Sequence, residues 1–286
     1  MRTILIAVII LLGFSAAAGV GTTQYRDLSV VYWCAALALV IQWLAYVPAY
    51  LLRTEKFYDL CGSLTFIIVT LLALALTGRS DPHALLLAGM VLTWALRLGS
   101  FLFTRVLREG GDRRFVKVKT QPIAFLSFWT LQGLWVVMCA GPVLAAISAP
   151  VVDSLPLWAL IGGAVWLVGF IFETIADRQK QRFRAEHGRT RFIDSGLWSI
   201  SRHPNYAGEI ILWSGIALCA LPALHGWQYL TLISPIFVWV LLTRISGIPL
   251  LEAMADRTWA DNEAYLTYKQ RTPLLWPRWQ STSKQR

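Results

Sequence analysis

The chain has 286 residues, of which 56% are hydrophobic and 15% charged, and its mean hydropathy is +0.55. Soluble domains carry about 25% charged residues, so this composition excludes an ordinary soluble domain and points to a single membrane domain spanning 1–286. The formal net charge of +10 does not indicate nucleic acid, because the basic residues follow the polar connections and are not interleaved with aromatics on a soluble face.

In chain order, apolar stretches near the ~20 residues needed to cross a bilayer run over 3–20, 29–52, 61–78, 84–104, 122–148, 155–175, 207–224 and 227–247. The predicted fold is all-α, a polytopic bundle of eight transmembrane helices, or seven if the first stretch, with Arg2 ahead of it and "SAAAG" at its end, is a cleaved signal peptide. Lysine and arginine sort cleanly between alternate connections. Arg2, Arg53, Lys56, the block Arg105 to Lys119, Arg178 to Arg202 and Arg257 to Arg286 fall on one side, against Arg26 and Arg79 on the other. That bias makes the first side cytoplasmic, with both termini there; cleavage would move only the N-terminus outside. The cysteines Cys34, Cys61, Cys139 and Cys219 stand singly in apolar stretches and read as buried thiols. The four histidines lie far apart, so no metal site is expected.

Four polar segments interrupt this pattern. "REGGDRRFVKVKTQP" (108–122) reads either as a solvated positive loop or as a flap over an anionic ligand. In "FETIADRQKQRFRAEHG" (172–188), Glu173, Asp177, Lys180 and Arg184 recur at spacings of four, three and four and so share one helical face, either as a solvated extension of the sixth span or as a binding wall. In "SISRHPNYAGE" (199–209), Pro204 suits the first turn of a helix, placing Arg202 and His203 beside its N-terminus and Asn205 and Glu209 one turn apart on it. A helix start with an arginine beside it favours phosphate, through free N–H groups and a guanidinium fork. A carboxylate at the depth of Glu209 is costly unless watered or paired, with Arg202 a candidate partner. The tail "RISGIPLLEAMADRTWADNEAYLTYKQRTPLLWP" adds Arg244, Glu252, Asp256, Tyr265 and Tyr268, with Trp259, Trp276 and Trp279 as interfacial anchors of an amphipathic helix. The alternative is that this tail closes a pocket with the two preceding segments.

These residues resemble the integral-membrane steroid 5α-reductases and sterol C14-reductases, over about 170 to 278. "ADRQKQRFR" is similar to the sterol reductases' Asn-x-Gln-Lys-x-x-Phe-Arg stretch, and "SGLWSISRHPNYAGE" to their Ser-Gly-Phe/Leu-Trp…Arg-His-x-Asn-Tyr-x-Gly-Asp/Glu. The resemblance is closest to a bacterial branch of that superfamily whose substrates are poorly defined. It implies substrate-side helices over 1–121, a reductase-like half over 122–286, and NADPH held on the cytoplasmic side without a Rossmann fold. Cofactor roles follow for Asp177, Lys180, Arg184, Arg202, His203, Asn205, Tyr206 and Glu209, with Glu252 from the tail; Glu173 stands where steroid reductases often have Asn. In the N-terminal half the match departs. Asp59 stands where the steroid reductases have a Gln-Glu pair and Arg97 matches their arginine, but Trp94 replaces a tyrosine and cannot deliver a phenolic proton. Tyr58 beside Asp59 is the replacement acid, and Asp59 is a candidate partner for Arg97, which costs at least ~2.5 kcal/mol unpaired near a helix centre.

The implied activity is NADPH-dependent hydride transfer to a lipophilic carbon–carbon double bond conjugated to a carbonyl, steroid- or sterol-like, in a substrate arriving from membrane lipid. Asp59, Tyr58 and Arg97 are the implied catalytic set. The implied location is a bacterial inner membrane, with the C-terminus cytoplasmic. A second reading is an S-adenosylmethionine-dependent membrane methyltransferase resembling the isoprenylcysteine carboxyl methyltransferases, which carry a similar Arg-His-Pro-x-Tyr segment and acidic tail. A third is a binding or scaffold protein that retains a nucleotide pocket without catalysis.

Overall fold

The computed structural model describes residues 1–112, 115–152 and 154–276. Among them, eight helices are long and apolar enough to cross a membrane. The chain is an all-α, multi-pass integral membrane protein. Its elements are α1 (Arg2–Gly19), β1 (Gln24–Tyr25), β2 (Leu28–Ser29), α2 (Val30–Leu51), α3 (Tyr58–Thr77), α4 (Pro82–Glu109), α5 (Pro122–Ser148), α6 (Leu157–His187), α7 (Pro204–Ala220), α8 (Ser234–Val240), α9 (Ile248–Thr258) and α10 (Glu263–Arg271).

Helix ends follow local chemistry. Ser29 caps α2, its hydroxyl accepting from the Val31 N–H at 3.2 Å, and Asp81 caps α4, accepting from the Ala84 N–H at 3.1 Å ahead of Pro82. Between α1 and α2, β1 and β2 pair around Arg26 (φ 50°) and Asp27 (φ 63°), two successive positive-φ residues, as a tight antiparallel hairpin demands.

Residues 1–163 and 216–235 form one compact unit. Its centre is α5, which is apolar on every side and buried along most of its length, and which packs against α1, α2 and α3. The outer face of α1 carries Leu5, Ile6, Ile9 and Leu12 exposed, as a lipid-facing helix should. All four cysteines are free and buried, matching their isolated apolar settings.

Residues 164–215 and 236–286 form the second unit. Here α6 crosses α7 at two glycines. A Cβ on Gly208 would stand 2.5 Å from the Glu173 backbone N, and one on Gly169 would meet the backbone of Leu212 and Gly208. Such backbone contact is how small residues hold membrane helices together. The connection between them folds back on α6: Trp198 is buried and donates its indole N–H to the Ala176 carbonyl at 3.1 Å, while the Leu197 N–H donates to Gln179 Oε1 at 2.9 Å.

The helical continuation expected beyond the sixth span is present and one predicted boundary shifts. α6 runs as one helix to His187, since nothing from Glu173 onward breaks a helix. The segment 227–247 is not one regular helix. It runs as a 3-10 stretch over Gly226–Ile233, then α8, then a π turn over Leu241–Ile245 in which the Ser246 N–H reaches back to the Leu241 carbonyl at 2.9 Å. Pro249 supplies no N–H to the chain four residues back, and a Cβ on Gly247 would lie 2.7 Å from the Leu242 carbonyl, so the helix must break and restart here.

The glycine seam yields a prediction with an internal control. Gly169→Ala and Gly208→Ala each force backbone apart and should cost about 1–3 kcal/mol. Gly163→Ala on the same α6, where no atom lies within 4 Å of the added carbon, should be neutral or stabilising by up to about 1 kcal/mol. Thermal unfolding of the detergent-solubilised protein measures both signs.

Candidate functional site

The polar residues predicted around 173–209 and 252–268 all belong to the second unit. Pro204 begins α7, so Arg202 and His203 precede the helix start, and Asn205, Tyr206 and Glu209 occupy its first two turns, half-buried. The N–H groups of a first turn lack intrahelical partners and present the positive end of the helix dipole.

The centre of this region is Glu252 on α9. Its Oε2 accepts from Arg202 Nη1, its Oε1 from His203 Nε2 at 2.8 Å, and Lys269 Nζ from α10 lies 3.7 Å away. One turn on, Asp256 Oδ1 accepts from Lys269 and, at 2.9 Å, from the Tyr265 hydroxyl. Three stretches of chain are thereby tied together, and the backbone adds to the closure: the Arg202 N–H donates to the Pro273 carbonyl at 2.9 Å and the Tyr268 hydroxyl to the Trp198 carbonyl at 2.7 Å.

His203 is 5% exposed, and its ring stacks on Tyr206 at 5.7 Å with 9° between planes. Burial, only partly offset by Glu252, holds its imidazole below the usual histidine range. At neutral pH the ring is therefore neutral and donates its Nε2 proton to the carboxylate, which leaves Nδ1 a lone-pair acceptor. Neither His203 Nδ1 nor Arg202 Nε makes a hydrogen bond among the described residues, although both atoms are buried. The site thus keeps polar valence beyond what Glu252 takes up.

The α6 face grades from apolar interior to solvent: Glu173 and Asp177 are buried, Lys180 is half-buried and Arg184 exposed. Lys180 Nζ sits 4.6 Å from the centre of the Trp198 ring, a cation–π contact. Arg184 donates to the Gly188 carbonyl at 3.2 Å, closing the helix end.

The other predicted residues lie in the first unit, Tyr58 and Asp59 at the start of α3 and Trp94 and Arg97 on α4. Gly99 lets α4 approach α3 so closely that a Cβ there would meet Ser63 at 2.7 Å. Asp59, in the first turn of α3, then has Arg105 of α4 at 3.7 Å. Arg97 lies on the same row of α4, its guanidinium 5.5 Å over the Phe101 ring. Tyr58 donates its hydroxyl to the Phe128 carbonyl at 2.8 Å and packs on Phe115 and Trp129. Trp94 is fully buried, edge-on to Phe66 at 5.1 Å and near Trp135 at 6.2 Å, a core packing position.

Three charged neighbours of the predicted residues were not singled out from the sequence. Arg105 is one, because α4 continues past the apolar run that ends at 104. Lys269 is another, its pairing decided by the α9–α10 turn. The third is Glu55, which is buried, pairs with Lys119 at 2.9 Å and accepts from the Asp112 N–H at 3.1 Å. With Phe115 buried among Tyr58, Phe125 and Phe128, the described part of 108–122 is anchored on its own unit, while Val116, Lys117, Thr120 and Gln121 stay exposed. Trp279, Arg113 and Arg114 lie outside the described residues.

A family model described as a protein of unknown function (DUF1295) matches residues 45–272, and the chain belongs to that family. No curated protein and no solved structure matches it.

The depressed basicity of His203 has a definite sign. Below about pH 6.5 an unfolded chain's histidine takes a proton that the native ring resists, so native stability should fall with pH there, by up to about 1.4 kcal/mol per pH unit. His203→Gln should flatten that part of the profile relative to wild type between pH 7 and 5.5, read as the melting temperature in detergent.

Proposed function

We propose that this member of the DUF1295 family is a membrane-embedded, NADPH-dependent reductase of a lipophilic compound carrying a carbon–carbon double bond conjugated to a carbonyl. The observation that carries the reading is the gathering of Arg202 and Lys269 beside the start of α7, with the buried Arg202 Nε making no hydrogen bond among the described residues. A cluster of cations at a helix N-terminus suits a diphosphate, which accepts from guanidinium forks and from first-turn N–H groups alike.

In this reading Arg202 and the first turn of α7 hold the diphosphate, and Lys180 and Arg184 on α6 add positive charge beside it. Asn205 and Glu209, projecting from the same two turns, hold the polar groups of the attached sugar or carboxamide, and Asp177 with Glu252 orients the surrounding cations. NADPH supplies a hydride for the electron-poor carbon. Asp59 and Tyr58 are the candidates for the proton that completes reduction, and Arg97 for orienting the substrate carbonyl, roles that require groups tuned and placed for transfer. The Tyr58 hydroxyl is directed at the Phe128 carbonyl, which favours Asp59, with Arg105 beside it, as the residue that relays the proton. The apolar exterior of the spans offers a route from lipid for a substrate of this class.

Arg202, His203, Pro204 and Tyr206 also fit a methyltransferase using S-adenosylmethionine, and the stacked His203–Tyr206 pair against Glu252 supports that second reading. S-adenosylmethionine carries no phosphate, however, and the two cations Arg202 and Lys269 beside one helix start exceed what it requires.

A thermal-shift comparison of the full chain in detergent with NADPH, NADH and S-adenosylmethionine separates the readings. NADPH should raise the melting temperature most. Arg184→Ala and Asn205→Ala, correctly folded, should each weaken NADPH binding by roughly tenfold, as loss of a hydrogen bond to a charged or buried polar group does. Stabilisation by S-adenosylmethionine alone, or variants that bind NADPH as tightly as wild type, would refute the proposal.

A further inference from the structure

Beside the cation cluster, the second unit has a cleft between the 190–194 connection and the α9–α10 turn. Its volume is about 190 Å³, and it is lined by Thr190, Arg191, Phe192, Asp194, Trp259 and Asn262. We infer that this cleft takes the adenine ring of the bound nucleotide, a step that rests on the nucleotide reading above but not on which nucleotide it is.

Size comes first. Pockets for whole drug-sized ligands run to roughly 300–1,000 Å³, so this cleft suits one bicyclic ring and not a dinucleotide. Its walls suit a planar π-system: Phe192 and Trp259 meet at 5.9 Å and 67°, offering a ring face and a ring edge, and the guanidinium of Arg191 supplies a cation that stacks on aromatic planes.

Its polar groups suit the hydrogen-bonding edge of adenine. Asn262 Oδ1 is already committed to capping α10, accepting from the Tyr265 N–H at 3.0 Å. That fixes the orientation of the amide and leaves its NH2 to donate to a ring nitrogen. The carboxylate of Asp194, half-buried in the lining, accepts from an exocyclic amine. Trp259 therefore has a role beyond anchoring at the membrane interface.

The cleft is also wired to the cations. Phe192 packs on Tyr265 at 5.4 Å, Tyr265 donates to Asp256, and Asp256 shares Lys269 with Glu252, the carboxylate that holds Arg202 and His203. A base in the cleft and phosphates at the start of α7 thus lie at two ends of one bonded network within the unit.

Equilibrium binding to the full chain in detergent tests this with NADPH, S-adenosylmethionine, adenosine monophosphate and reduced nicotinamide mononucleotide, which lacks adenine. Trp259→Ala should weaken the adenine-bearing ligands by about tenfold, in keeping with the loss of a base–aromatic stack, and leave reduced nicotinamide mononucleotide unchanged; Trp259→Phe should retain most of the affinity. Should Trp259→Ala lower the melting temperature, Asp194→Ala replaces it with the same expected selectivity. If adenosine monophosphate responds to these variants while NADPH does not bind, the cleft assignment stands and the reductase reading falls. Equal loss for the ligand without adenine, no loss for the ligands with it, or no binding of any adenine compound overturns the assignment.

Discussion

The second unit depends on the carboxylate of Glu252. It joins a residue pair ahead of α7, Arg202 and His203, to α9, and through Lys269 to α10, so that stretches about fifty residues apart in sequence close on one another. Such a cluster is demanding, because charges removed from water are compensated only when geometry and hydrogen bonding are nearly complete. Removing Glu252 would take away the one carboxylate that Arg202 and His203 share and leave Lys269 to Asp256, whereas removing any single donor leaves two others beside the carboxylate. The cluster is consequently asymmetric, with one indispensable acceptor and several partly redundant donors. That asymmetry is compatible with an anionic ligand, which would add acceptors where the donors are in excess.

The cluster is held in place by apolar packing that contains almost no charge. Gly169 and Gly208 let α6 and α7 touch backbone to backbone, which fixes the start of α7 against the polar end of α6. Trp198 then seals the connection by hydrogen bonding to the Ala176 carbonyl and stacking under Lys180. The π turn at Leu241–Ile245 serves the same end: it brings Gly247 close to the Tyr206 ring, where a Cβ would lie 2.9 Å away, and so aims α9, with Glu252 one turn further on, at Arg202 and His203. Here irregular backbone sets the direction of α9.

Much of this was legible in the sequence. Apolar runs give the eight spans because a bilayer imposes their length, and Pro204 gives the start of α7 because a residue lacking an N–H is cheapest there. The shared face of Glu173, Asp177, Lys180 and Arg184 follows from helical period alone. Pairings were less accessible. Glu252 and Asp256 read as a helical pair, yet which cations they take depends on the angle between α9 and α10, set by a turn whose only local signal is Asn262 as a cap. Glu55 with Lys119, and Asp59 with Arg105, are likewise long-range choices among several equally plausible charges. The break in the eighth span had a signal in Gly247 and Pro249, but hydropathy averages over it.

The first unit carries a corresponding argument about Trp94. The resemblance to steroid reductases would put a phenol at this position, whereas the indole packs edge-on to Phe66 and near Trp135. An acid for any chemistry in this unit must then come from its polar end, where Glu55, Tyr58 and Asp59 stand within five residues of one another at the start of α3. Glu55 is committed to Lys119 and the Asp112 N–H, and the Tyr58 hydroxyl to the Phe128 carbonyl. Asp59 has Arg105 of α4 at 3.7 Å. For the proposed reduction, the departure from the steroid-reductase pattern at Trp94 would therefore move the proton donor from the middle of α4 to the first turn of α3.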